Sequence, residues 1–350
     1  MNGFRTRLKG AAIKTCAIFL ACLFCVAFAC DDESSYIEGR KSVYEGGDFK
    51  DDFEYRGGFS VHYLDVGQGD AILVRFADGK TLLIDCGENN ERNLKTIERY
   101  VDAYATDGTL NYLLLTHPDS DHVGNAVEIL TDYQVETAFI PYLLQPENFN
   151  PYYAAYSLIK EKGIKTLYSE VGKSVCGDDY YMIMLSPDAN GTDGSAYAEI
   201  NSSAEPSADA INNVSPIIYL DYNGVRFIFT GDAGFSQEKV ALNNVDTGFA
   251  DRFLKNQGKA PVNLTDIDFL KVSHHGATDA SGDEFLQRIT PKNAIVSVGE
   301  NFYGHPETET LARILAANEN CNLYSTSEYG TVSVFVNDNG KSTVKTAKAA

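Results

Sequence analysis

Positive charge is scarce in this 350-residue chain: 29 Lys and Arg stand against 49 Asp and Glu, a formal net charge of −20. A surface this acidic does not attract nucleic acid as a whole, so a polyanionic ligand would need a local positive centre. Bound metal is one such centre. Histidine is also scarce, with six residues in all. Of seven cysteines, Cys16, Cys22, Cys25 and Cys30 fall within the first thirty residues. The remaining Cys86, Cys176 and Cys321 lack metal-type spacing and cannot all pair with one another. They read as buried thiols, with one disulfide conceivable outside the cell. No long apolar run follows residue 30, and no repeat of fixed period occurs. Disorder is excluded for most of the chain by an ordinary hydrophobic content of 44%.

The first thirty residues differ from the rest. Arg5, Arg7, Lys9 and Lys14 form a basic start, and an uncharged apolar stretch runs from Thr15 to Ala29. Basic start, short apolar core and small residues at its end describe an export signal. The core is short of the roughly 20 residues that a membrane-spanning helix needs. Its end, Ala27-Phe28-Ala29-Cys30, is similar to a bacterial lipobox, in which the cysteine is lipidated. An ordinary cleaved signal or an uncleaved anchor are the alternatives. All three readings place the folded part outside the cytoplasmic membrane, with the lipid-anchored form expected here. Residues 31–56 read as an acidic tether, 57–340 as one folded domain and 341–350 as a flexible tail.

Within 57–340, hairpins and strand–helix alternations follow one another. Strands are expected at Phe59 to Leu64, Asp70 to Phe76 and Thr81 to Ile84, then a helix over Asn93 to Tyr104. Leu110 to Leu115 reads as a buried strand. Further strands are expected at Val135 to Ile140, Tyr180 to Leu185, Val214 to Leu220, Val225 to Phe229 and Ile267 to Val272. Residues 187–213 read as a long loop that lies over a site. Two packed sheets with helices outside fit this order.

Chemistry concentrates at strand ends. Thr116-His117-Pro118-Asp119-Ser120-Asp121-His122 follows the strand that ends at Leu115. A tight loop there can aim imidazole and carboxylate into one cavity, a donor mix that suits zinc, manganese or iron. A solvated turn with Asp121 capping the next helix is the plainer alternative. Two later segments favour the metal reading. Thr230-Gly231-Asp232 puts a carboxylate at the end of an apolar strand, and Ser273-His274-His275-Gly276 does the same for imidazole. A carboxylate between two metals and a further histidine complete a two-metal arrangement.

In this order, H-x-D-x-D-H, T-G-D and S-H-H-G resemble the metallo-β-lactamase superfamily. More narrowly, the chain resembles the extracellular hydrolase-like domain of ComEC-type competence proteins and its stand-alone relatives. Leu64-Asp65-Val66-Gly67-Gln68-Gly69-Asp70, Leu83-Ile84-Asp85-Cys86-Gly87, Asn212-Asn213-Val214-Ser215 and Tyr303-Gly304-His305-Pro306 carry that narrower likeness. The resemblance implies an α/β fold, a four-layer αββα sandwich with the site at one edge of the sheets. It implies one or two divalent ions, zinc or manganese. His117 and Asp119 would hold the first, Asp121, His122 and His274 the second, and Asp232 would bridge them. Asp119 stands where the superfamily commonly has His, and no His lies between His122 and His274. Asn213 or Ser215 occupies the corresponding stretch. Asp65 and Asp85 would support ligand histidines, His275 would be structural, and His305 would contact a substrate oxyanion or donate a proton alongside Asp121. Gly67 and Gly69 read as serving backbone geometry, and His62 carries no function.

The expected activity is hydrolysis by a metal-activated water, with a phosphodiester or nucleic acid as substrate. Hydrolysis of a lactone or thioester, or a non-catalytic surface module, are the rivals. No protein partner is inferable.

Overall fold

The computed structural model describes residues 58–189 and 195–348. Cys30, the export segment and the acidic tether lie outside the described residues. Strands β1 (Phe59–Tyr63), β2 (Ile72–Arg75), β3 (Thr81–Ile84), β4 (Thr109–Leu114), β5 (Gln134–Ile140) and β6 (Lys165–Tyr168) precede β7 (Ser174–Cys176), β8 (Tyr180–Met184), β9 (Ile218–Tyr222) and β10 (Val225–Phe229). They are followed by β11 (Phe269–Lys271), β12 (Asn293–Val296), β13 (Asn322–Ser325), β14 (Val332–Val336) and β15 (Ser342–Thr346). Helices are α1 (Glu91–Tyr104), α2 (Ser120–Val123), α3 (Ala126–Asp132), α4 (Tyr152–Glu161), α5 (Ala196–Ile200), α6 (Ala208–Asn212), α7 (Phe235–Asp246), α8 (Phe249–Lys255), α9 (Asp283–Ile289), α10 (Thr308–Ala317) and α11 (Thr326–Tyr329).

The strands form two sheets, ordered β15-β14-β1-β2-β3-β4-β5-β6 and β13-β12-β11-β10-β9-β8-β7. In each, an antiparallel half joins a parallel half. β3 through β6 run parallel in the first sheet, and β10 through β13 in the second. Parallel strands send their carboxyl ends to one edge, where ligand sites form in α/β sheets.

Alternation assigns each side chain to a layer. Phe227 and Phe229 of β10, with Tyr180, Met182 and Met184 of β8, pack between the sheets against Phe59, Val61 and Tyr63 of β1. Ile228, Tyr181 and Ile183 face the other way, onto a layer that includes Leu242 of α7, Leu254 of α8 and Phe285 of α9. On the first sheet, α1 covers the outer face with Ile97, Tyr100, Val101 and Tyr104, at helical spacing. The side chain of Asn90 accepts from the Asn93 N–H and caps α1. The helix therefore starts two residues earlier than its apolar pattern suggests. The four layers are those of the αββα sandwich. His62 lies between β1 and α1, with Ser333 and Ser60 hydroxyls 2.8 and 2.9 Å from its ring nitrogens. Burial drives its basicity down to about 3, which suits a core histidine.

Two expectations are corrected. The segment 341–350 is not simply a flexible tail, because Ser342–Thr346 pairs antiparallel with β14 as an edge strand. Its polar, lysine-bearing sequence is typical of an edge and hides the strand signal. Residues 187–213 are not a bare loop either. Ser195 and Ser207 each accept a backbone N–H three residues on, which starts the short helices α5 and α6. Cys86, Cys176 and Cys321 are free thiols. Among the described residues, no helix is long and apolar enough to cross a membrane.

Gly69 ties the first turn to the α2 segment. The Asp70 N–H donates to the Asp121 carbonyl at 3.2 Å, and a Cβ on Gly69 would overlap that same oxygen. Its φ of 123° also disfavours any side chain. Gly67 has φ 72° with open space around it. Gly69→Ala is expected to lower stability in urea denaturation by about 2 kcal/mol more than Gly67→Ala, since only the first adds overlap to backbone strain. Equal losses would remove the packing role assigned to Gly69.

Candidate metal centre

The loop after β4 and the helix α2 deliver His117, Asp119, Asp121 and His122. The turn after β10 delivers Asp232, and the turn after β11 delivers His274 and His275. His117, His122 and His275 are buried, as is Asp232. This excludes the solvated-turn reading. Asp119 occupies the N-cap position of α2 yet makes no capping bond there, which leaves its carboxylate available.

One oxygen of Asp232 lies 3.3 Å from His122 Nε2, 3.5 Å from His275 Nε2, 3.8 Å from His117 Nε2 and 3.9 Å from His274 Nε2. Asp119 reaches within 3.7 Å of His117 Nε2, and Asp121 within 3.4 Å of His275 Nε2. Two overlapping triads result, His117–His122–Asp232 and Asp121–His122–His275. His117 Nε2 and the second oxygen of Asp232 are buried without a hydrogen-bond partner. Orphaned donor atoms that converge in a buried cluster fit a divalent cation.

Hydrogen bonds behind the rings select the tautomers. Asp85 accepts from His122 Nδ1 at 2.8 Å, from the Thr116 hydroxyl at 2.6 Å and from the Thr116 N–H at 2.8 Å. The Thr116 hydroxyl spends its proton on Asp85, so it accepts from His117 Nδ1, 3.0 Å away. His275 Nδ1 donates to the Ser297 carbonyl at 2.8 Å. All three rings therefore turn Nε2 to the same point. Burial opposes charge on His275, but Asp232 and Asp121 outweigh it and raise its basicity to about 10. Burial likewise opposes charge on His122, and Asp232, Asp85 and Asp121 raise it well above the usual imidazole range. Burial resists ionisation of Asp232, yet His122 and His275 hold it well below the usual carboxylate range.

The two neighbouring histidines stand differently from expectation. His275, expected to be structural, lies in the cluster. His274, expected as a ligand, sits at the rim and is partly exposed. Its Nδ1 bonds Asp279 at 2.9 Å and its Nε2 faces the Asn212 amide at 3.3 Å. Both residues have positive φ, 47° and 54°, so strand alternation does not set their directions. Asp65 also departs from expectation. It accepts from Gly67 N–H in its own turn and pairs with Arg92 and Lys348, so it orients no ligand histidine. Asn213 braces the Gly234 N–H, whereas Ser215 touches both His117 Nδ1, at 3.1 Å, and the Asp232 N–H. His305 lies at the rim, its ring 5.5 Å from that of His274 and its Nδ1 without a partner. Burial, with His274 and His275 nearby, holds it below the usual imidazole range.

Sequence reading missed one buried pair. Lys271 Nζ lies 2.7 Å from Asp70, both fully enclosed. Asp70, Asp85 and His122 offer atoms within 4.8 Å of one another, so Lys271 offsets negative charge directly behind the centre. A lysine inside an otherwise apolar strand was the available signal.

Asp85→Asn should weaken metal binding about 10- to 100-fold in a chelator-competition titration. The amide nitrogen would face His122 Nδ1–H, forcing the proton onto Nε2. Unchanged affinity would remove the orienting role given to Asp85.

The chain is similar to several known proteins. The family model of the metallo-beta-lactamase superfamily matches residues 64–300. ComE operon protein 3 of Bacillus subtilis (strain 168) is 26% identical over 289 residues, covering 78% of this chain and 32% of that protein. Recombination protein 2 of Haemophilus influenzae is 27% identical over 270 residues, covering 75% and 27%. The chain thus spans about a third or less of the length of these curated relatives. Among solved structures, the metallo-beta-lactamase fold protein YhfI of Bacillus subtilis aligns with a TM-score of 0.45 at 8% identity, covering 82% of this chain and 100% of that one.

Proposed function

The chain belongs to the metallo-β-lactamase superfamily of hydrolases, and on that premise we propose that it is a metal-dependent phosphodiesterase acting on nucleic acid. The observation that carries this reading is the convergence of two His/Asp triads on Asp232, with orphaned His117 Nε2 and Asp232 oxygen atoms at the focus. The name of one relative, Recombination protein 2, points to nucleic acid.

His117 and Asp119 would hold one ion, Asp121, His122 and His275 the other, with Asp232 between them. Divalent ions bound there supply Lewis acidity toward a phosphoryl oxygen and lower the pKa of water. Replacing one imidazole of the usual set by Asp119 hardens the donor set and favours manganese alongside zinc. His305, whose ring lies 5.5 Å from that of His274 at the rim, would hand a hydrogen bond to a substrate oxygen. The Asp85–Thr116 network keeps the rings aimed while substrate exchanges.

The test is a substrate panel with added manganese or zinc: single-stranded and duplex oligonucleotides, a small phosphodiester, a lactone and a thioester. Phosphodiester turnover should fall at least 100-fold in Asp232→Ala and His275→Ala, and much less in His274→Ala, which only trims the rim. Turnover of the lactone or thioester alone would overturn the phosphodiesterase reading. Greater loss in His274→Ala than in His275→Ala would restore the opposite ligand order.

We also propose export and lipid anchoring at Cys30, on the basic–apolar–small pattern that ends there. Cells fed a radiolabelled fatty acid should label the wild-type protein and leave Cys30→Ala unlabelled. Equal labelling of both would reject the anchor.

A further inference from the structure

Resting on the phosphodiesterase reading, we propose that the loop 300–306 is a base-stacking platform that delivers single-stranded nucleic acid to the metal centre, with Phe302 and Tyr303 as its contact residues. Phe302 is 107% exposed and Tyr303 73%, whereas the next most exposed aromatic among the described residues, Tyr153, is 41% exposed. Their exposure is built into the loop. The Asn301 side-chain oxygen accepts from the N–H groups of Tyr303, Gly304 and His305 at 3.0 to 3.1 Å. The Asn301 amide donates to the carbonyls of Gly299 and His305. A loop cross-braced by one side chain holds two large rings largely in water.

The loop is also fastened to the centre. The Glu307 N–H donates to the Gly276 carbonyl at 2.9 Å, and a Cβ on Gly276 would meet Pro306 at 2.7 Å. From the solvent inward, the Tyr303 ring stacks on His305 at 5.7 Å and 27°, and His305 meets His274 edge-on at 5.5 Å. His274 Nε2 is 3.9 Å from the Asp232 carboxylate. A ladder of flat rings thus leads from open solvent to the cluster.

Charge says what docks there. The loop is flanked by Glu300 and Glu307, and the chain carries −20 overall. An extended phosphate-binding groove is not what this rim offers. A nucleobase is flat, has an apolar π face, and hangs from the phosphate that the centre would hold. Stacking on aromatic side chains is the sequence-tolerant way to hold such a strand. In a duplex the base faces are already covered by their neighbours, so only single strands or frayed ends present them.

The test uses fluorescence anisotropy at low salt, with a dye-labelled ten-nucleotide oligo-dT, an abasic strand of the same length and the duplex form as probes. Metal-free protein permits binding without turnover. Wild type should bind oligo-dT more tightly than either other probe. Removing both rings in F302A/Y303A should weaken oligo-dT binding about 5- to 100-fold and leave abasic binding as it was, while Phe302→Trp retains it. The same variant, loaded with manganese, should raise KM for oligo-dT with little change in kcat. If wild type hydrolyses oligo-dT and F302A/Y303A binds and cleaves it equally well, the platform is overturned and the phosphodiesterase reading stands. If wild type hydrolyses no phosphodiester with any metal, both are overturned.

Discussion

An imidazole offers a lone pair to a cation from one nitrogen only when its other nitrogen keeps the proton, and here buried acceptors enforce that condition. Asp85 serves His122 directly and His117 through the Thr116 hydroxyl, while the Ser297 carbonyl serves His275. One carboxylate thus sets two rings through a chain of three hydrogen bonds. The fold supplies the placement. β3 and β4 run parallel with Ile84 opposite Leu114, which brings Asp85 beside Thr116 just past the strand ends. The positive φ of Asp85, 58°, turns its side chain back under the loop. Everything nearer the cluster depends on this buried arrangement of Asp85, Thr116 and His122 holding.

The same enclosure makes charge balance the second constraint. Asp70, Asp85, Asp121 and Asp232 gather around His122, and burying carboxylates without compensation is costly. Lys271 compensates one of them from the side away from the cavity. The other carboxylates favour positive charge on His122 and His275, whose basicity they raise although burial alone would do the reverse. A divalent cation would offset the same carboxylates, and its binding competes with protons on these rings. The acidic interior and the cation preference are therefore one property seen from two sides.

Much of this was legible in residue order. Apolar runs located most strands, since residues buried on both faces leave a continuous signal, as in β8. The three motifs at strand ends located the cluster, because parallel strands must finish at a common edge. What escaped had local physical causes. β15 is a polar strand with Lys345 on a solvent edge, and Val344 is its one apolar residue. Asp65 reads as a supporting acid because it flanks a turn near the site, yet it pairs with Arg92 and Lys348, and it is Asp70 that turns inward to Lys271. The choice between His274 and His275 depended on backbone angles that no periodicity encodes.

That last choice also connects the buried centre to its rim. Two successive non-glycine residues with positive φ are strained, at a cost of order 1 kcal/mol or more each, and persist only where surroundings over-determine them. Here three contacts do so: Ser297 holds His275 inward, Asp279 holds His274 outward, and Pro306 closes over Gly276. The doublet therefore turns one ring into the cluster and the next toward solvent from a single tight turn. A disturbance of the rim loop that relaxed Pro306 would free this turn and move His275 as well as His274. Substrate contacts at the rim and cation geometry in the core consequently share one strained element, and that sharing explains why the His305-bearing loop is fastened to the backbone of Gly276 instead of standing free.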